Sequence, residues 1–297
     1  MNRNEIQRLM QERDKLITGL NNNLEADIST AQRDLLDLFM RSFADKLQTD
    51  ENGVILNNSY NQNLLVNIDR VFLEFVKNNN VAVINSLIYG VGALVDYNAK
   101  YYKNLDGNAK LIPLREKVIT NMRGWLGIEA NDTAKPNGYL DTLVKSDVVK
   151  TQIKNFGMKI IYGRQGFFEA KNELQKMIIG DKDNLGALQK YHRNYTYDFF
   201  SQIDRATGLT FADDLKFEFA IYEGGIIETS RPFCKEHNGN VYHKSEIAKF
   251  DPPSAKQPNY NPVTDLGGYG CRHHLNWIPN SLAIMLRPDA EKFIKAA

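Results

Sequence analysis

Residues 215–222 read LKFEFAIY, and this stretch marks the point at which the chain changes from helical to extended periodicity. Phe217, Phe219 and Ile221 alternate with charged or small residues, and a period of two is typical of a strand. The turn sequence EGG follows, and a second short run, IIETS, occupies residues 226–230. Two extended runs around a Gly-containing turn predict a β-hairpin.

The chain before this stretch has the apolar spacing of helices, with one residue in three or four apolar on a single face. Asparagine clusters and glycines supply the stop signals between successive helices. We predict helices over residues 6–20, 24–43 (after the turn signals at 21–23), 64–76 (ended by NNN at 78–80), the apolar run to about 102, 111–126, 140–161, 167–179 and 183–207, with Gly208 after the last.

Proline usage divides the chain. Seven of the nine prolines, both cysteines and four of the five histidines lie after residue 230. Because proline breaks helix interiors, this last quarter must be rich in loops. The predicted fold is therefore mainly α: an N-terminal helical region followed by a small, loop-rich α+β domain carrying the Cys/His residues. NDTAKPNG at 131–138 is the best internal linker, which gives domains over 1–135 and 136–297.

Charge and hydropathy narrow the function classes. The formal net charge of +1 gives no chain-wide attraction to DNA or to an anionic membrane, so any nucleic-acid contact must come from a local patch. The N-terminus shows no apolar signal-peptide core. The most apolar stretch, residues 81–95, is interrupted by Asn, Ser and Gly and is short for a span, so we predict a core helix and no membrane span. A reducing compartment follows, in which two cysteines are ligands or plain thiols.

The chemistry concentrates in TSRPFCKEH at 229–237 and GGYGCRHH at 267–274. Cys234 and His237 have a C-x-x-H spacing that one tight turn can fold around an ion. Cys271 and His273 would share one face of a strand, whereas His274 would point away. A tetrahedral zinc site needs about four N or S ligands, so we predict zinc bound by Cys234, His237, Cys271 and His273, all within a Cys/His segment over 229–280.

Two other interpretations of these residues remain open. Both cysteines could be buried small apolar residues beside histidines that make ordinary hydrogen bonds. One cysteine could instead be a nucleophile with a histidine as its base, but no third, orienting residue stands at a recognisable position.

The order of segments over residues 183–280 resembles the C-terminal domain of the Mu F-like phage minor head proteins, also called phage head morphogenesis proteins. A polar-aromatic helix (YHRNYTYDFFSQIDRATG) precedes YEGGIIETSRPFC, the turn HNGNVYHKSEI, a proline-rich connection and GGYGCRHHLNWIP. The positions that match the family pattern are Arg231, Pro232, Cys234, Gly239, Cys271, Arg272, His273 and Pro279. The resemblance covers about a third of the chain, and residues 136–297 would be the minor head domain.

The resemblance implies a virion component and not an enzyme. Such a protein is made in the host cytoplasm, is present in several copies per particle, and associates with the portal or capsid proteins during head assembly, DNA packaging or DNA delivery. No catalytic residue is carried over, and the Cys/His positions would bind metal or stabilise the fold. Residues 1–135 would then be a helical docking region. An amphipathic helix over 2–20 suits docking, although ordinary packing within the bundle is the alternative.

Two other function classes compete with this one. The chain could be a Cys/His hydrolase or nuclease carried in the particle, or a zinc-stapled DNA-binding module. A closed metal site favours a structural role, whereas an open coordination position or a close Cys–His contact favours catalysis. A DNA-binding module predicts a contiguous Lys/Arg face, which the near-neutral charge disfavours.

Overall fold

The computed structural model describes residues 3–107, 111–196, 198–252 and 260–294. The chain is 67% helical, and a three-stranded antiparallel sheet lies near its C-terminus. This confirms the predicted fold class, mainly α with a small α+β part. The helices are α1 (Arg3–Ser42), α2 (Ser59–Leu105), α3 (Leu111–Leu126), α4 (Tyr139–Lys145), α5 (Asp147–Tyr162), α6 (Phe167–Ile179), α7 (Ala187–Thr196), α8 (Phe199–Asp214), α9 (Pro232–His237), α10 (Lys244–Ile247), α11 (Asn280–Leu286) and α12 (Glu291–Ile294). The strands are β1 (Phe219–Glu223), β2 (Val241–His243) and β3 (His274–Ile278).

The chain divides into two compact units, and neither is continuous in sequence. The helical unit comprises residues 22–88 and 126–196, and the sheet unit comprises 1–21, 89–125 and 197–297. The sequence predicted a single division at residue 135. The linker signals at 131–138 are local, whereas each of α1 and α2 contributes residues to both units, and local composition carries no record of that.

Apolar stripes on successive helices form the core of the helical unit. Gly157 in α5 shows how closely these helices pack, because a Cβ there would lie 2.8 Å from the Leu65 side chain and 3.2 Å from that of Phe43. The C-terminal end of α6 carries the glycine expected of it. Gly180, directly after the helix, has a positive φ of 91°, a conformation that glycine adopts without strain.

The sheet unit is built around β1, which lies between β2 and β3. Ala220 in β1 pairs with Tyr242 on one side and with Trp277 on the other. All of β3 and the first four residues of β1 are buried. Ile6 and Met10 of α1 belong to the apolar cluster on this sheet. The N-terminal helix therefore shows the ordinary-packing alternative: its apolar face is buried within its own unit and does not form an exposed docking surface.

Two predicted helix breaks are wrong. α1 runs through Asn21–Asn23, and α2 runs through residues 78–80. An asparagine inside a helix costs less than about 1 kcal/mol, whereas burying one large apolar side chain contributes about 1.5–3 kcal/mol. Leu20 and Leu24 are both buried, as are Phe75 and Val83, so the apolar face continues across each asparagine cluster and keeps the helix intact.

The predicted hairpin over 215–230 is also wrong. β1 pairs with β2 and β3, which lie further along the chain, while Ile226 and Ile227 in the expected partner segment are exposed. The predicted helix over 183–207 is two helices, α7 and α8. Gly208 does not end α8 but lies inside it, where its carbonyl accepts a hydrogen bond of 3.0 Å from the Tyr102 hydroxyl.

One segment of α2, Val81–Leu105, is long and apolar enough to cross a membrane by length and composition alone. In the structure 39% of its most apolar window is buried inside the protein. Core helices of soluble proteins meet the same criteria, so this segment is weak support for a span. The prediction of a core helix stays a prediction.

Candidate metal centre

Helix α9 and strand β1 bring the first cysteine and a tyrosine together. α9 begins with Pro232, whose fixed φ and missing N–H suit the first helical position. Cys234 lies one turn into this helix and is 3% exposed. Tyr222 lies near the end of β1, is fully buried, and packs its ring edge-on against Phe233. Both side chains point into the interior of the sheet unit.

The second cysteine arrives on an irregular loop that leads into β3. The loop turns at Gly268 and Gly270, whose φ angles of 86° and 72° favour glycine. Cys271 and His273 follow, and each is 3% exposed. The prediction placed these two residues on one face of a strand, whereas β3 begins only at His274 and the preceding loop brings both side chains to the interior.

Side chains of α8 hold this loop in place. Arg205, which is 2% exposed, donates hydrogen bonds to the main-chain carbonyls of Thr264 (2.5 Å), Cys271 (2.5 Å) and His273 (2.9 Å). Asp198 precedes α8, and its carboxylate oxygens accept from the Gly270 N–H at 2.8 and 2.9 Å. A buried guanidinium needs several acceptors, and these carbonyls satisfy it while they fix the backbone of Cys271 and His273.

Three of the four predicted ligands converge. The ligand atoms of Cys234, Cys271 and His273 all lie within 4.8 Å of one another. The two sulfurs are 3.9 Å apart, and Cys271 Sγ is 3.9 Å from His273 Nδ1. These three side chains could therefore bind a metal ion, and we call them the Cys/His cluster.

Gly267 lets the two sulfurs come this close. A Cβ at this position would lie 2.6 Å from Cys234 Sγ and 3.1 Å from Cys271 Sγ. Real carbon atoms essentially never come within 3.0 Å of such a neighbour, so only glycine fits against the sulfur pair. Gly267 therefore contributes to the site by having no side chain.

The electrostatic environment shifts the pKa values of the two thiols in opposite directions. The hydrogen bond between them lowers the pKa of Cys271 and raises that of Cys234, with burial opposing the first effect and reinforcing the second. His273 and the positive charge of Arg205 also lower the pKa of Cys271. The pair thus favours one thiolate, which is the form in which cysteine binds metals.

His237, the fourth predicted ligand, lies outside the Cys/His cluster. Its Nδ1 is 2.8 Å from the Phe233 carbonyl of its own helix, and its ring stacks on Phe233 at 4.0 Å. Cys234 and His237 lie one helical turn apart, but the His237 ring packs on Phe233 and does not join the sulfur atoms.

His274 belongs to a different buried network. Its Nδ1 is 2.8 Å from Asp204, which also accepts a hydrogen bond of 2.8 Å from Asn98. Arg13 lies 3.7 Å from the same carboxylate. Burial, with the charge of Arg13, lowers the pKa of His274 to about 4. His274 is therefore a neutral partner of Asp204, in keeping with the expectation that it points away from Cys271.

Gly267 belongs to the predicted GGYGCRHH segment but no role was predicted for it, and none was predicted for Tyr222, Arg205 or Asp198. Their signal is weak: Tyr222 is one apolar position of a strand, and the two charged residues look like ordinary polar positions next to or within a helix. Comparison with protein-family models, with curated proteins and with solved structures finds no match.

Proposed function

We propose that this chain is a structural protein of a phage particle, a portal- or capsid-associated minor head protein, in which zinc bound at the Cys/His cluster stabilises the sheet unit. The observation that carries the proposal is the convergence of the separate resembling segments. The FFSQIDRATG helix, the YEGG strand, the RPFC helix and the CRHH segment come together around one buried cluster. Cys234 and Cys271 are 37 positions apart in sequence, and their sulfur atoms lie 3.9 Å from each other.

The donor set fits zinc. Thiolate and imidazole are the ligands of structural zinc sites, and soft sulfur donors select zinc over magnesium or calcium. Among the described residues, His273 Nε2 has no hydrogen-bond partner, and Nδ1 has only the thiol at 3.9 Å. A buried imidazole without strong partners costs free energy, and a metal bond at Nδ1 would give that nitrogen a strong partner while leaving Nε2 unchanged.

Burial favours a structural role over a hydrolase or nuclease. Each of the three ligands is 3% exposed. A catalytic metal or cysteine must present an open position to its substrate. Zinc at this position would instead link α9 to the loop before β3, which is the part of the sheet unit with the least regular secondary structure. Small, loop-rich units gain much of their stability from such cross-links.

The metal part of the proposal is tested by elemental analysis of protein purified without chelator. We expect about one zinc per chain, lost in Cys234→Ser and in Cys271→Ser. His243→Asn is the matched control, because His243 caps α10 and lies outside the Cys/His cluster, so this variant should keep its zinc. Wild-type protein without zinc after this preparation would refute the metal site.

The virion part is tested on particles produced by a host that carries the gene with an affinity tag. We expect mass spectrometry to detect the chain in purified particles, at several copies against the far more abundant major capsid protein, and the tag to capture the portal protein. Packaged DNA, held through a local patch, is a further expected contact. Purified particles that lack the chain would refute this assignment while leaving the metal site standing.

A further inference from the structure

The Cys/His cluster supplies three ligands, and a tetrahedral zinc ion takes four. Bonds of about 2.0–2.3 Å place the ligand atoms of such a site roughly 3.3–3.8 Å from one another, since these are the edges of the tetrahedron. A missing fourth ligand should therefore already lie at about this distance from the two sulfurs.

The hydroxyl of Tyr222 meets this requirement. Its oxygen lies 3.4 Å from Cys234 Sγ and 3.8 Å from Cys271 Sγ, and the two sulfurs are 3.9 Å apart. These three atoms form a nearly regular triangle whose sides match one face of the expected tetrahedron, and His273 Nδ1 lies 3.9 Å from one of its corners.

The surroundings of Tyr222 hold the hydroxyl in this place. The side chain is fully buried, and its ring stacks on that of His273 at 5.1 Å with 28° between the planes. Residues on both sides of Tyr222 in β1 are paired with β3. A tyrosine fixed by a strand and by a stacked ring cannot swing away without disturbing the core, so the oxygen stays beside the sulfurs.

His237 is the competing fourth ligand, and its geometry is worse. Its Nδ1 is occupied by the Phe233 carbonyl at 2.8 Å, and its ring stacks between Phe233 and Tyr242. Reaching the metal would require His237 to leave these contacts, whereas the Tyr222 oxygen already lies beside both sulfurs and would give up only its hydrogen bond to Cys234 Sγ.

We propose that Tyr222 is the fourth ligand of the metal centre, so that the site is Cys234, Cys271, His273 and the Tyr222 oxygen. This inference rests on the metal site proposed above. Zinc binds carboxylate oxygens at about 2.0–2.2 Å, and the Tyr222 oxygen would bind as the phenolate, with its proton released to solvent when the metal binds. The positive charge of Arg205, which acts on Cys271, offsets the negative charge that the sulfur ligands bring.

Tyr222→Phe tests the proposal, because it removes one oxygen and keeps the ring that stacks on His273. We expect the zinc dissociation constant, measured by competition with a chromophoric chelator, to rise about tenfold or more. Tyr242→Phe is the matched control, since Tyr242 lies in the neighbouring strand and its hydroxyl contacts Asn240 and not the sulfurs. His237→Asn tests the competing ligand, and both of these variants should bind zinc as tightly as wild type.

Cobalt substitution gives a readout that does not depend on affinity alone. Cobalt-loaded wild type should show the strong visible absorption of a tetrahedral site, and Tyr222→Phe should shift and weaken it, while Tyr242→Phe and His237→Asn leave it unchanged. Circular dichroism checks that each variant folds, and a Tyr222→Phe protein that folds only with saturating zinc also supports the proposal.

The outcomes separate the two claims. If wild type binds zinc and Tyr222→Phe has the same affinity and cobalt spectrum, the Tyr222 assignment is wrong and the Cys/His cluster stands. A loss of affinity in His237→Asn, with none in Tyr222→Phe, transfers the fourth position to His237. If wild type binds neither zinc nor cobalt, the metal site itself is refuted.

Discussion

In the helical unit the buried polar side chains are all neutral, whereas the sheet unit buries charged ones. Among the described residues, those of the helical unit are Gln32, Asn61, Ser146 and His192. Those of the sheet unit include Arg13, Asp204, Arg205 and Asp265. Burying a charge costs far more free energy than burying an amide. The buried charged groups of the sheet unit must therefore make hydrogen bonds that apolar side chains cannot make.

The buried charged side chains hold irregular backbone in one conformation through hydrogen bonds. The helical unit satisfies most of its main-chain groups within helices, and Gln32 needs only to join the Ile179 carbonyl (3.1 Å) and the Gln189 N–H (3.0 Å). The loop before β3 has no such ladder. Its carbonyls bind the buried Arg205, and its Gly270 N–H binds Asp198. Buried charge thus replaces secondary structure where the chain cannot form any.

The largest effect should follow from Arg205→Met, which keeps the volume of the side chain and removes its five donors. Three carbonyls of the loop lose their partner, and we expect a loss of about 3–5 kcal/mol in the free energy of unfolding, measured with urea. Zinc affinity should fall with it, because the backbone of Cys271 and His273 is released. Arg8→Met is the control: Arg8 is exposed and pairs with Glu12 on the surface, so its replacement should cost less than about 1 kcal/mol. Equal stability of the two variants would contradict the contrast between the units.

The second-largest effect concerns His192, a buried neutral side chain of the helical unit, and its protonation at acidic pH. Burial lowers the pKa of His192 to about 4, while the unfolded chain titrates near 6.5. A lowered histidine pKa means that the unfolded state takes up the proton first, so stability is complete above pH 6.5 and falls as the pH drops to 4. We expect a loss of about 3 kcal/mol between pH 7 and pH 4.

Hydrogen exchange of the α5 and α6 amides in the wild type and in His192→Asn isolates this term. The difference in opening free energy between the two proteins should change by about 3 kcal/mol over this range, because the asparagine does not titrate. If the difference is the same at pH 7 and pH 4, folding does not lower the pKa of His192.

The sequence predicted the parts of this molecule that depend on local patterns. The fold class and helix α6 with its C-terminal glycine follow from periodicity and stop signals. The choice of His273 over His274 assumed a strand through Cys271, but β3 begins only at His274, so a loop and not strand alternation places His273. The hairpin failed because IIETS has the composition of a strand without the burial of one. β1 found its partners in β2 and β3 instead, and pairing at that distance leaves no local signal.

Only part of the candidate site could be predicted from the sequence, because some of its residues act through contacts with distant parts of the chain. Both cysteines and His273 stand out because such residue types are rare and clustered. Arg205 and Tyr222 do not stand out, because their roles depend on contacts with residues 66 and 49 positions away. Gly267 matters through the space that it leaves for two sulfurs, and a glycine in a Gly-Gly pair reads first as a turn.

The smallest effect should follow from a change at Gln32, the buried neutral side chain that holds backbone in the helical unit as Arg205 does in the sheet unit. Gln32→Leu keeps an apolar stem of similar size and removes the three hydrogen bonds of the amide, which join it to the Ile179 carbonyl and to the main-chain N–H and side chain of Gln189. We expect a loss of about 1–3 kcal/mol in the free energy of unfolding, less than for Arg205→Met, because a neutral amide contributes less than a charged group that binds three carbonyls. Gln152→Leu, at an exposed position of α5, should change stability by at most about 0.5 kcal/mol. A Gln32→Leu protein as unstable as Arg205→Met would mean that the helical unit depends on its polar anchor as strongly as the sheet unit does, and the contrast between neutral and charged anchoring would then have no energetic basis.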